Sequence, residues 1–154
     1  MKYWLLKTEP EEYSIHDLAA APDQTTAWDG VRNYQARNFL RDGMRVGDRV
    51  LIYHSNTEPL AIVGVAKVVR SSYPDASAFD RKSAYFDAKS KAESPTWVNV
   101  DLKLDRIFAE PLTLIQLRSE PALAGMELLR RGSRLSVQPV TTEEFRRIQR
   151  LAGG

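Results

Sequence analysis

One stretch constrains the architecture more than any other. From Val98 to Asp105, apolar and polar residues alternate without a fault: Val98, Val100, Leu102 and Leu104 on one side, Asn99, Asp101, Lys103 and Asp105 on the other. A period of two belongs to a strand, because successive side chains leave opposite faces of a sheet. The polar set means that one face meets water, as is common in antiparallel sheets and rare in parallel ones. Leu60 to Val69 contrasts with it, being nearly continuously apolar with Gly64 inside. That pattern reads as a strand buried on both faces, with a bulge or a close backbone approach at the glycine. Val50–Tyr53 precedes it across the short polar loop His54–Thr57, which makes an antiparallel pair the default. Tyr3–Lys7 reads as a further strand, and Leu135–Val137 as a short one before Pro139.

Helix starts are written locally. Ser14 with Asp17, Thr113 with Gln116 and Thr141 with Glu144 form capping boxes, stapled by Tyr13/Leu18, Leu112/Leu117 and Val140/Phe145. Asn33 caps a helix from Tyr34, whose apolar stripe is Ala36, Phe39 and Leu40 and which Gly43 can end. Glu110-Pro111 is expected to stop the Val98 strand. Ser71–Ser94 is polar, carries four aromatics and has no sustained period, so it reads as a long loop. The helices do not alternate regularly with the strands. The expected fold is therefore α+β: a small, mostly antiparallel β-barrel or curled sheet with short helices outside, residues 1–154 forming one domain. With 154 residues and 43% apolar content, such a core is attainable, and order is expected everywhere except at the Gly153-Gly154 end.

Several chemistries are disfavoured. The chain has no cysteine and only two histidines, His16 and His54, far apart, so no metal site is expected. No glycine-rich loop has Walker or dinucleotide spacing, so no nucleotide cofactor is expected. No Gly-x-Ser-x-Gly elbow is present. The apolar run in Met1–Lys7 is too short for a signal peptide and no later run spans a bilayer, so the expectation is a cytoplasmic protein with no membrane partner. Net charge is only +2, yet from Leu117 onward there are seven arginines, no lysine and four glutamates. Such an end suits either phosphate contact or a solvated helix face.

Ala27–Leu40 is the stretch richest in binding chemistry: Trp28, the Asp29-Gly30 turn, Arg32, Asn33 and Tyr34 within one loop and helix start. An indole stacks on a flat ring, while amides and a guanidinium read a polar edge. The plainer reading makes Trp28 core and gives the polar residues to the turn. Trp4, Trp97 and Tyr53, on strands, read as core. Lys7, Arg32 and Arg134 supply charge; Asn33, Ser55, Asn56, Ser136 and Gln138 supply hydrogen-bonding groups.

Four blocks in order resemble the EVE domain family: Tyr3–Pro10, Trp28–Leu40, Tyr53–Asn56 and Arg130–Val140. EVE domains are similar to the PUA-like superfamily, which implies a mostly antiparallel barrel flanked by short helices. The resemblance also implies a reader of nucleic acid, DNA or RNA, with a pocket for a flipped or modified base. In YTH domains a first-strand Lys-Ser is followed by a loop tryptophan that walls the base cage, and Lys7-Thr8 and Trp28 look like the matching positions. The further aromatics of the cage are open among Tyr34, Tyr73 and Trp97. The expected pocket is Trp28, Arg32, Asn33, Tyr34, Ser55 and Asn56, with Lys7, Thr8, Arg130, Arg134 and Ser136 as phosphate or edge contacts. Two other classes stay open: an enzyme acting on a nucleotide or RNA through His54 or Asp29, and a protein-interaction module using the arginine face.

Overall fold

A computed structural model describes residues 1–153; the expectation for Gly154 lies outside the described residues. Among the described residues six strands form one sheet in the order β2-β5-β4-β3-β1-β6. They are β1 (Tyr3–Thr8), β2 (Thr25–Ala27), β3 (Arg49–His54), β4 (Ala61–Pro74), β5 (Val98–Thr113) and β6 (Val137–Val140). Four of the five pairings are antiparallel and β1/β3 is parallel. The architecture is thus mixed α+β and mostly antiparallel. The sheet is open, with β2 and β6 at its edges, rather than the closed barrel that was one form of the expectation.

Helices cover both faces. The α-helices of the described residues are α1 (Ile15–Ala20), α2 (Tyr34–Asn38), α3 (Leu114–Arg118) and α4 (Thr142–Leu151). Trp4, Leu6, Val50 and Ile52 pack on one side with Ile15, Leu18, Ala36 and Leu40. Leu5, Leu51 and Tyr53 pack on the other with Leu117, Phe145 and Ile148. Alternation along β1 and β3 sends neighbouring side chains into opposite cores, so one strand pair organises both. All three capping boxes form reciprocally, and Asn33 caps α2.

Two strands run further than the local pattern suggests. β4 continues through Ser71 to Pro74, and β5 passes Pro111 to Thr113. The register explains the proline: it jumps from Ile62↔Leu112 to Gly64↔Ile107, leaving residues 108–111 bulged and without ladder partners. A residue lacking an N–H is tolerated there. Gly64 sits beside the bulge, where a β-carbon would collide with the Arg106 carbonyl and the Ile15 side chain, so the close approach is real. Pro139 lies within β6, but that strand is an edge.

The parallel β1/β3 pair sets Lys7 beside Tyr53 and Thr8 beside His54, bringing two carboxyl-terminal strand ends together. Ser55 N–H donates to the Thr8 carbonyl at 2.9 Å, and Lys7 N–H to the Ser136 carbonyl at 2.9 Å. Three separate chain segments are thereby tied to one corner of the sheet.

Candidate functional site

That corner opens into a cavity of about 820 Å³, within the range of ligand sites. Its wall combines the end of β1, the turn before α1, the 28–33 loop, Ser55, Tyr85 and the segment leading into β6. Of the residues expected from sequence, Trp28, Arg32, Asn33, Ser55, Lys7, Thr8, Arg134 and Ser136 all line it. Tyr34, Asn56 and Arg130 do not.

Trp28 resolves the choice between core and wall by being both. It is half-buried, its N–H donates to the Val100 carbonyl at 2.8 Å, and Tyr13 meets its ring edge-on at 6.0 Å. The third aromatic is Tyr85, from the long segment between β4 and β5. Its ring lies so close over Gly30 that a β-carbon there would fall 2.6 Å from it. Gly30 has φ +79°, so glycine is required twice over, for conformation and for space.

A buried carboxylate holds these walls in place. Asp75, 0% exposed, accepts from Gly30 N–H at 2.9 Å, from the Arg32 guanidinium at 3.0 Å and from Ser77 N–H at 2.8 Å. Burial opposes its charge, but the hydrogen bonds from Ser77, Gly30 and Arg32 prevail and hold it below the usual carboxylate range. Arg32 also donates to the Tyr85, Val31 and Ser77 oxygens. All five of its N–H groups are thus engaged inside the protein. Its place at the cavity agrees with the expectation; its role as an edge reader does not, because no donor remains for a ligand. Asn33 uses its carbonyl oxygen to accept from Ala36 N–H at 2.9 Å, leaving its amide N–H groups to the cavity.

The cavity carries charge of both signs: Glu9, Glu12 and Asp29 line it together with Lys7 and Arg134. Burial, then the nearby Asp75 charge, pushes the Asp29 carboxyl up. Burial lowers Lys7 against the pull of Glu127. The Tyr85 phenol is raised by burial and by Glu12 and Asp29. Carboxylates accept from an exocyclic amine, while the cations suit phosphate.

The remaining candidates lie elsewhere for identifiable reasons. Tyr34 is 61% exposed and tilts against Trp97, ring centroids 5.0 Å apart. Asn56 is exposed at φ +51° and donates to Glu9 at 3.3 Å. Tyr73 bonds Asp101. Gln138 is buried and donates to the Leu135 carbonyl at 2.8 Å. His54 is buried and its Nε2 accepts from Ile15 N–H at 3.1 Å, which makes it a cap for α1, not a cavity acid. Tyr13 read as a staple and was not expected at the site; Tyr85, in a stretch without period, offers stacking surface by residue type but was not among the expected cage aromatics. Among the described residues no cluster of potential metal ligands occurs and no helix is long and apolar enough to cross a membrane.

The sequence pattern of the EVE domain matches residues 2–151. The chain belongs to the EVE domain family. It is 42% identical to human thymocyte nuclear protein 1 over 160 residues, 93% of this chain and 70% of that protein. The chicken protein matches equally, but the chain spans only 65% of its length. Among solved structures, a Pseudomonas putida protein superposes with a TM-score of 0.92 at 45% identity, covering 97% of this chain and 99% of that one. The human THYN1 protein in complex with 5-methylcytosine-containing DNA superposes with a TM-score of 0.94 at 40% identity, covering 100% and 99%. This EVE chain therefore shares its whole fold with a relative crystallised on modified DNA.

Proposed function

We propose that this EVE chain is a non-enzymatic, one-domain reader that takes a modified nucleobase of DNA or RNA into the Trp28 cavity. The observation that carries the reading is the pairing, in one cavity, of a half-buried indole braced by Tyr13 with a cationic rim at Lys7 and Arg134. A flat base stacks on the first and its phosphates face the second. The human relative's complex with 5-methylcytosine DNA supports a modified cytosine as the base. The carboxylates of Asp29 and Glu12 are suited to the cytosine amino group, and the Asn33 amide N–H groups to a ring acceptor or carbonyl.

The test is a tryptophan-fluorescence titration with short single- and double-stranded oligonucleotides. Each is offered unmodified, with methylated or hydroxymethylated cytosine, and with methylated adenine, at two salt concentrations. The expected result is a quench that depends on the modification, with affinity that weakens as salt rises. Equal affinity for modified and unmodified strands would overturn the reading.

A further inference from the structure

A second cavity, of about 600 Å³, lies against the first and shares Lys7 with it. Its cations come from three parts of the chain: Lys7 on β1, Arg118 at the end of α3, and Arg130 and Arg131 before β6. Against them stands Glu127, which contacts Arg130 at 3.7 Å and pulls on Lys7. Among the described residues neither Arg118 nor Arg131 has an acidic partner within salt-bridge distance.

Two hydroxyl groups face the same space without a protein partner. Tyr53 is 3% exposed, in the middle of the α3/α4-side core, yet it lines this cavity and its hydroxyl makes no hydrogen bond among the described residues. Ser133 Oγ is buried and likewise unpaired. A buried hydroxyl without a partner is costly and calls for an explanation. Here the buried Ser133 Oγ and the cavity-facing Tyr53 hydroxyl lie beside guanidinium groups without acidic partners, and a ligand with several acceptor oxygens and negative charge would satisfy them at once.

We propose that this second cavity binds a backbone phosphate of the nucleic-acid strand whose base occupies the Trp28 cavity. The proposal rests on the base-reader reading above. The covalent run of the chain supports it: Arg130 to Ser133 line the second cavity, and Arg134 and Ser136 the first. One segment thus forms a wall of both, with Lys7 at the boundary. A strand that drops a base into the first cavity and passes over Lys7 sets its next phosphate in front of Arg118 and Arg131. Tyr53 and Ser133 donate to its oxygens from the floor.

Two variants isolate the site. Tyr53→Phe keeps the core ring and removes only the hydroxyl. Arg118→Gln/Arg131→Gln changes two exposed residues that do not line the base cavity. Each is titrated with a 5-methylcytosine oligonucleotide, its unmodified twin and an abasic version over a range of salt, with urea unfolding to confirm the fold. The double variant is expected to bind all three strands roughly tenfold more weakly at low salt. Its plot of log affinity against log salt should be shallower by about one unit or more, and the ratio of modified to unmodified affinity unchanged. Tyr53→Phe should weaken all three strands to a lesser extent at an unchanged ratio. An unchanged salt slope in the folded double variant overturns the phosphate site, whatever the base ratio. A wild-type protein that ignores the modification, but whose salt slope still falls in the double variant, overturns the base reading and keeps the phosphate site.

Discussion

Arg32 and Arg134 line the same cavity and do opposite things. Arg32 has its donors satisfied within the protein: its five N–H groups reach Asp75, Ser77, Val31 and Tyr85. Arg134 is exposed in the segment before β6, with no acidic partner within salt-bridge distance among the described residues. One arginine belongs to an internal frame and the other is left open to a ligand. Residue type does not distinguish them; the supply of nearby acceptors does.

The contrast breaks first at Asp75. Asp75→Ala leaves the Arg32 charge, 22% exposed, without its carboxylate and frees Gly30 and Ser77. Loss of about 3–5 kcal/mol of stability is expected, read as a lower urea midpoint, together with loss of base discrimination. A variant of wild-type stability would show that the frame is not held by this carboxylate. Trp28→Ala comes next. It should weaken oligonucleotide binding by about 1–3 kcal/mol while the domain stays folded. Melting with unchanged residual affinity would return Trp28 to the core.

His54 sharpens the comparison from the structural side. Burial, then the neighbouring His16, holds its pKa below 6.5, and its neutral ring accepts from Ile15 N–H. Its stabilising effect is therefore full above pH 6.5 and is lost as pH falls below that value toward the folded-state pKa. His54→Ala should cost about 1–3 kcal/mol at pH 7 and flatten the stability profile between neutral and mildly acidic pH, measured by urea unfolding at a series of pH values. The smallest stability effect belongs to Arg134→Gln: within about 0.5 kcal/mol of wild type, but with a salt dependence of oligonucleotide binding shallower by about one unit. If Arg134→Gln destabilised the fold as Asp75→Ala does, the two arginines would not differ in kind.

What could be read in the sequence was what its neighbours in the chain decide. The three capping boxes and the Asn33 cap form as written, because donor and acceptor lie three residues apart. Trp28 and Lys7-Thr8 were legible through the family resemblance and Asn33 through its residue type, and eight of the eleven expected site residues line the cavity. Hidden were the features that depend on distant pairing. β5 overruns Pro111 because a bulge removes the need for its N–H. Tyr85 is held at the cavity by Arg32, which bonds its carbonyl, and Asp75, ten residues earlier, binds the 30–32 turn across more than forty positions. Tyr53 read as core, as its ring is; no pattern in the chain could indicate that its hydroxyl opens into a second cavity.

Gly30 has a consequence for how such a site changes over generations. The ring of Tyr85 rests where a side chain at position 30 would begin. The depth of the recess is thus gauged by a missing methyl group on one segment and an aromatic on another, some fifty residues away. Enlarging position 30 displaces Tyr85; shrinking position 85 deepens the recess under an unchanged turn. The long segment between β4 and β5 is therefore the adjustable jaw of a vice whose fixed jaw is the 28–33 loop, and the width of the cavity can be set there without altering the sheet.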